Sequence, residues 1–305
     1  MPDLERLLRE TNDLLKAQDI PLCRTLSGMT FQDTYNPTVL GHADGRRYVI
    51  KVCLRYPEAL EQSARVANTL AVRTGLPIPQ HICWQQGQGG LPLLVMEWID
   101  GMQLANAFSE FSRTQATVLA RDWGRCLAIF HRSQLSESDG LDGFGAAQAH
   151  SEHVAQLIGS AHERTRQLSA NGWSASEMNA IEAFLTEREA HVAFPSLPGL
   201  RKADQDLHDA LASSGPPRIV ALLDWERVWM GDSLWEVVWV HGRFHLIGAP
   251  ELWPSFREGY ESINGLLPKS PHVGFYAMCR ALIAAGHNSH ARGLIQLLLR
   301  TGNPL

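Results

Sequence analysis

Leu200-Arg-Lys-Ala-Asp-Gln-Asp-Leu-His-Asp209, followed by Ile219-Val-Ala-Leu-Leu-Asp-Trp-Glu226, is the stretch around which this chain is organised. An apolar run ends on an acid, Asp224, and the polar segment upstream carries Asp204, Asp206 and Asp209. Carboxylates gathered this closely repel one another unless a metal ion or a cationic substrate neutralises them. The bland alternative is a solvated acidic turn with Asp224 as a helix N-cap.

The rest of the composition sets bounds. A chain of 305 residues, 45% hydrophobic and 19% charged, is long enough for two lobes or one large domain with a well-buried core. A net charge of -5 carries no global nucleic-acid footprint. No run approaches the roughly 18 uncharged apolar residues of a membrane span. The start, Met1-Pro-Asp-Leu-Glu-Arg6, is acidic and amphipathic, unlike a signal peptide, so a cytoplasmic location is expected. Five scattered cysteines without Cys-x-x-Cys spacing read as reduced core thiols.

Periodicity predicts a helix over 3–17 and a strand pair around Leu26–Tyr35, Thr38–Leu40 and Arg47–Cys53, with Asp44-Gly45 as a hairpin turn. A helix over 57–74 stops at Gly75-Leu-Pro-Ile-Pro79, and two short strands fit His81–Trp84 and Leu93–Met96. Beyond Ile99-Asp-Gly101 the pattern turns helical, over Thr114–His131, 151–168 and 175–191, the last opened by Ser174 with Glu177 three residues on. Pro195 to Pro198 ends that stretch before the acidic loop. Helices resume from Leu234, broken at Pro250, Pro254, Pro268, Pro271 and near Gly286. The expected class is α+β: a small antiparallel-sheet lobe with one main helix over 1–97, a hinge at about 97–101, and a larger, mainly helical lobe over 98–305.

Lys51 alternates with apolar neighbours in Val49-Ile-Lys-Val52. Taken alone it reads as a solvated strand lysine. A strand lysine that follows a glycine-containing hairpin and precedes a long helix also stands where nucleotide kinases place a phosphate-binding lysine. Gly28, in Leu26-Ser-Gly-Met-Thr30, could let backbone N–H groups cover phosphates. Downstream, phosphoryl transfer needs one carboxylate to take the acceptor's proton and oxygen ligands for magnesium. A loop acid, a second oxygen donor five residues on and a strand-end acid supply those roles. His241 with His245 and His287 with His290 read as packed or surface histidines rather than zinc ligands. Trp235 and Trp239 share a helix face, whereas Trp225 or Trp229 could border a cleft.

Val49-Ile-Lys51, Gly75-Leu-Pro-Ile-Pro79, Leu94-Val-Met-Glu-Trp-Ile-Asp-Gly101, Gly124-Arg-Cys-Leu-Ala-Ile-Phe-His131, Leu222-Leu-Asp-Trp-Glu226 and Gly231-Asp232 occur in an order that resembles the aminoglycoside phosphotransferase family, with its protein-kinase-like bilobal fold. Asp142-Gly-Phe-Gly145 and Gly231-Asp-Ser-Leu-Trp-Glu-Val237 are most similar to its hygromycin phosphotransferase branch. The resemblance implies that Lys51 holds the α/β-phosphates and that Glu97 and Trp98 present backbone groups to the purine. Asp204 would be the catalytic base, Asp209 and Asp224 the magnesium ligands, and Asp232 a brace for the catalytic loop. Asp206 competes with Asp204 for the base. The family's His-Gly-Asp-x-x-x-x-Asn spacing favours Asp204, since the other register sets Leu211 at a ligand position.

Departures from the family pattern are Lys202 for its histidine, Ala203 for its glycine, Asp209 for its asparagine, and Ser63 where a glutamate would pair with Lys51. The last leaves Lys51 without an orienting partner in the sequence. The resemblance implies transfer of the γ-phosphoryl group of ATP, or GTP, with Mg2+, to a hydroxyl of a small molecule, and the carboxylates suit a cationic aminoglycoside or amino alcohol. The rival expectation is a pseudokinase serving as a nucleotide- or partner-binding module. A monomer or homodimer is expected, with no nucleic-acid or membrane partner.

Overall fold

The computed structural model describes residues 4–29, 37–54, 57, 60–86, 90–135, 146–202, 206–225, 228–285 and 288–302. They fall into two compact units, one within Met1–Gln103, Leu135–Leu141 and Asp209–Val228, the other within Leu104–Gln134, Asp142–His208 and Trp229–Leu305.

The first unit opens with α1 (Leu4–Ala17), whose Leu7 and Leu15 are buried. An antiparallel sheet follows, of β1 (Thr25–Met29), β2 (Thr38–Ala43), β3 (Arg46–Val52), β4 (His81–Gln86) and β5 (Pro92–Glu97), in the order β1-β2-β3-β5-β4. Ala43 pairs with Arg46, so Asp44 and Gly45 alone make the turn, and Gly45 supplies the left-handed φ of 69°. The period of two sorts β3 between two layers. Tyr48, Ile50 and Val52 join Leu7, Leu15, Val39 and Val95 in one core. Lys51 stands opposite Leu94, on the face where Cys53 and Leu94 meet Leu60 and Ala64 of α2 (Leu60–Thr74). Gly75, at φ 68°, ends α2. A second small sheet of β6 (Met102–Gln103), β8 (Ala210–Ala212) and β9 (Ile219–Leu222) completes the unit.

The second unit is mainly helical: α3 (Leu104–Glu110), α4 (Arg113–Arg132), α5 (Ala146–Gln167), α6 (Ala175–Glu189), α7 (Leu234–Leu246), α8 (Trp253–Asn264), α9 (Pro271–Ala284) and α10 (Ser289–Thr301), with the strand pair β7 (Pro198–Lys202) and β10 (Val228–Asp232). Ser174 and Glu177 form the expected capping box of α6. Pro254 and Pro271 lie in the first turns of α8 and α9 instead of breaking helices, since a first-turn proline has no intrahelical N–H bond to lose. β7 is an addition to the expected loop. Its Arg201 and Lys202 are buried at 0% and 2% exposure, so no apolar alternation marks it as a strand. Trp123, Phe244, Phe256 and Tyr260 pack edge-on or stacked at the centre. All five cysteines are buried free thiols, and burial pushes Cys23 up to about 11.

α4 and α8 cross at two glycines. A Cβ on Gly124 would stand 2.0 Å from the Phe256 carbonyl oxygen, and one on Gly259 1.9 Å from that of Arg121. Backbone cannot yield as a side chain does, so Gly124→Ala is expected to cost about 3 kcal/mol in urea unfolding, the upper end for overpacking. A cost below about 1 kcal/mol would show that the helices separate freely.

Between α5 and α6, His162 bonds Glu182 through Nδ1 and Glu189 through Nε2, the latter at 3.1 Å. Burial pulls its pKa down, but the bonds to Glu189 and Glu182 outweigh this and raise it above 6.5. A raised folded pKa stabilises fully below the unfolded value and less as pH climbs through the folded one. Wild-type stability is therefore expected to fall from pH 6 to pH 8 relative to His162→Gln, and parallel chemical-denaturation profiles would contradict it.

Candidate functional site

Asp209 closes a single 3-10 turn immediately before β8, and Asp224 lies just past the end of β9. Ala210 pairs with Leu222, and the N–H of Leu223 donates to the Asp209 carbonyl at 2.7 Å. The antiparallel register thus carries two acids, distant in sequence, to the same end of one hairpin. Asp224 has a left-handed φ of 65°, shared among the described non-glycine residues only with Asp19. For a residue with a Cβ this conformation costs on the order of 1 kcal/mol, and such outliers gather at functional sites.

Lys51 of β3 supplies the complementary charge. Its Nζ donates to Asp224 Oδ1 at 2.8 Å, with the two side chains 13% and 44% exposed. Lys51 therefore has an acid partner just past the end of β9. At the position where the family glutamate would stand, Ser63 is buried and its Oγ has no hydrogen-bond partner among the described residues. Glu61 pairs with Arg65 on the same helix at 2.5 Å. His81, directly opposite Met96 on the Lys51 face of the sheet, is buried. Desolvation, against a bond to the Ala64 backbone and with help from the Lys51 charge, lowers its pKa to about 4. A neutral imidazole thus sits where a cation would repel Lys51.

Glu97 ends β5, and Trp98 follows. The Glu97 N–H donates to the Gln80 carbonyl at 3.0 Å and the Trp98 N–H to that of Arg47 at 3.3 Å. Arg47 also forks onto Asp100 at 2.7 and 2.8 Å and lies 5.1 Å from the Trp98 ring centre. The Trp98 indole N–H bond to Asp100, with the Arg47 bond second, holds the Asp100 carboxyl below its ordinary pKa. Gly28 of β1 pairs with Val39 of β2, and residues 30–36 lie outside the described residues.

Asp204 also lies outside the described residues, as do Asp142 to Gly145. Its competitor is described. Both oxygens of Asp206 are engaged by Arg243 of α7, Oδ1 by Nε at 2.9 Å and Oδ2 by Nη2, a bidentate pair that the sequence did not suggest. Asp232 is buried and accepts four bonds, from the N–H groups of Ser196, Leu197 and Leu234 and from the Tyr276 hydroxyl, at 2.9 to 3.1 Å. The structure thus gathers Lys51, Asp209 and Asp224 in the first unit, and Asp206 and Asp232 belong to the second. His241 and His245 pack ring to ring at 4.6 Å, and burial, then the His245 charge, lowers His241 to about 3. Among the described residues no group of three or more His, Cys, Asp or Glu side chains is arranged to hold a metal. No described helix is long and apolar enough to cross a membrane.

The sequence pattern of the phosphotransferase enzyme family, APH, matches residues 31–273. No curated protein matches the sequence. Among solved structures, a thermostable mutant of an aminoglycoside phosphotransferase, without ligand, superposes with a TM-score of 0.67 at 16% identity, covering 99% of this chain and 100% of its own. A spectinomycin phosphotransferase bound to ADP and spectinomycin gives 0.65 at 14% identity, covering 100% and 96%. A macrolide 2'-phosphotransferase from Brachybacterium faecium gives 0.58 at 18% identity, covering 96% and 93%. These likenesses establish the protein-kinase-like α+β fold.

Asp224→Gly separates strain from charge. Glycine adopts φ 65° freely, which offsets the loss of a partly exposed ion pair worth about 0–1 kcal/mol. Thermal unfolding should shift by less than about 1 kcal/mol, and a loss of 2 kcal/mol or more would make Asp224 a structural residue.

Proposed function

Because the chain belongs to the phosphotransferase enzyme family and is a small-molecule kinase, we propose that it moves the γ-phosphoryl group of ATP to a hydroxyl of a cationic amino alcohol, an aminoglycoside being the model acceptor. The observation that carries this reading is the Lys51–Asp224 ion pair beside Asp209, a cation and two carboxylates joined by one sheet register and one hairpin. The narrower kinship with the hygromycin branch rests on Gly231 to Val237 and on Asp142 to Gly145.

In this mechanism Lys51 turns its ammonium from Asp224 toward the α/β-phosphates of the incoming nucleotide. Asp209 and Asp224 present only hard oxygen donors, which fits magnesium, and when bound that ion offsets phosphate charge. The purine rests on the main chain of Glu97 and Trp98 through carbonyl oxygens, both N–H groups being engaged in the sheet. Asp204 would accept the proton of the acceptor hydroxyl as its oxygen bonds the γ-phosphorus and the bond from that phosphorus to the β,γ-bridging oxygen breaks, ADP leaving with the electron pair. Asp206 is unsuited to that task because Arg243 occupies both its oxygens. Asp209 in place of asparagine adds one negative charge, and Lys202 one positive charge, to the same loop. The bond to Asp224 gives Lys51 an acid partner although Ser63 stands in α2.

Calorimetric titration with Mg·AMP-PNP should show binding, and its absence in wild type would refute the nucleotide reading. In ADP-release assays, with hygromycin B and kanamycin as trial acceptors, Asp204→Ala should lower turnover by about 10²- to 10⁴-fold, the range for a general base. Asp206→Ala should lose less. Wild-type rates in Asp204→Ala beside an inactive Asp206→Ala would transfer the base to Asp206, and equal residual rates in all three would favour the pseudokinase.

A further inference from the structure

β7 delivers the chain to the acidic loop, and two buried carboxylates hold its ends. At the entry, Asp232 accepts from the N–H groups of Ser196 and Leu197 at 2.9 and 3.0 Å. At the exit, Glu236 Oε1 accepts from the N–H of Lys202, the last residue of β7, at 3.1 Å. Asp204 follows two residues later. Glu236 is 1% exposed, and its second oxygen is bonded to His131 Nε2 at 2.8 Å. His131 Nδ1 bonds the Tyr260 hydroxyl, also at 2.8 Å. Tyr260 belongs to α8 and His131 to α4, the pair of helices locked together by Gly124 and Gly259.

Each link constrains the next. Two bonds fix the His131 ring plane, and that ring fixes the Glu236 carboxylate, leaving Oε1 aimed at the backbone of Lys202. A buried carboxylate is tolerated only when both oxygens are satisfied, and here both are. β7 itself packs closely on α4, because a Cβ on Gly199 would stand 2.6 Å from the His131 carbonyl oxygen. Tyr260, His131 and Glu236 thus form a chain from the rigid α4/α8 crossing to the root of the acidic loop.

We infer that Glu236, oriented by His131 and Tyr260, is a positioning residue for phosphoryl transfer: it anchors the backbone at Lys202, two residues before Asp204 in the sequence. The inference rests on the proposed role of Asp204 as base. Glu236 touches no reacting atom, so its effect belongs in the rate of the chemical step rather than in nucleotide affinity.

The test uses the full chain with Mg·ATP, hydrolysis to ADP as the turnover measure, Mg·AMP-PNP calorimetry for affinity and thermal unfolding for stability. Glu236→Ala should lower kcat about 10- to 100-fold, the usual cost of displacing a catalytic group by an ångström, with the AMP-PNP Kd unchanged within about twofold. Glu236→Gln, whose amide oxygen still accepts from Lys202, should recover most of the loss. Tyr260→Phe should lower kcat in the same direction by a smaller factor. Unchanged kcat in a folded Glu236→Ala with a lowered melting point would overturn the proposal, as would a Gln variant no better than Ala. If Glu236→Ala does not fold, Glu236→Asp decides. It keeps the charge but falls one methylene short, so an undiminished kcat overturns the proposal and a reduced one with intact Kd supports it. Asp204→Ala runs in parallel. An inactive Asp204→Ala beside a fully active Glu236→Ala removes this inference alone, whereas a fully active Asp204→Ala removes the base assignment beneath it.

Discussion

The contact between Lys51 and Asp224 ties the first unit's candidate site together. It links a strand in the five-stranded sheet to a hairpin formed more than 150 residues further along the chain, at 2.8 Å. A partly exposed ion pair adds at most about 1 kcal/mol, so stability is not its principal effect. Its consequence is order: an ammonium on a flexible stem is held where phosphate would be met, and an acid in a left-handed conformation is held where a cation would be met. Burial holds His81 neutral, its pKa lowered to about 4, so it adds no like charge beside that lysine. Within the first unit, opposite charges on Lys51 and Asp224 satisfy each other directly.

The second unit handles charge differently. Arg201, Lys202, Asp232 and Glu236 are all buried, a costly arrangement unless each group is closely matched. Asp232 meets three backbone N–H groups and a tyrosine hydroxyl, and Glu236 meets a backbone N–H and an imidazole. Arg201 lies 4.7 Å from the Trp229 ring centre and 5.9 Å from that of Trp235. An apolar core of similar volume would be at least as stable. Bonds from backbone N–H groups to the two carboxylates fix the path of this short strand at both ends.

Much of the secondary structure was legible because the periodicities are strong. α4 and α6 follow their apolar stripes and caps, and the Asp44-Gly45 turn lies where its dipeptide predicts. β7 was not legible, because a strand that buries arginine and lysine shows no alternation. The acids were visible as a group, but their partners were not. Arg243 for Asp206, Lys51 for Asp224 and His131 for Glu236 are 37, 173 and 105 residues away, and only the folded chain brings such groups together. Ser63 read as a deficit, and the acid that the fold does bring to Lys51 is Asp224, just past the end of β9. Glu236 lay within the Gly231 to Val237 resemblance, but nothing in the sequence pointed to its bond with the Lys202 backbone.

The glycine crossing of α4 and α8 has a bearing on how this sequence can drift. Gly124 confronts the backbone at Phe256 and Gly259 confronts the backbone at Arg121; neither confronts the other's missing side chain. Enlarging one position therefore cannot be balanced by shrinking the second, and no reciprocal exchange restores the lost space. In an alignment of descendants the two columns would stay invariant without covarying, so a contact that close would be invisible to any method that infers proximity from paired change.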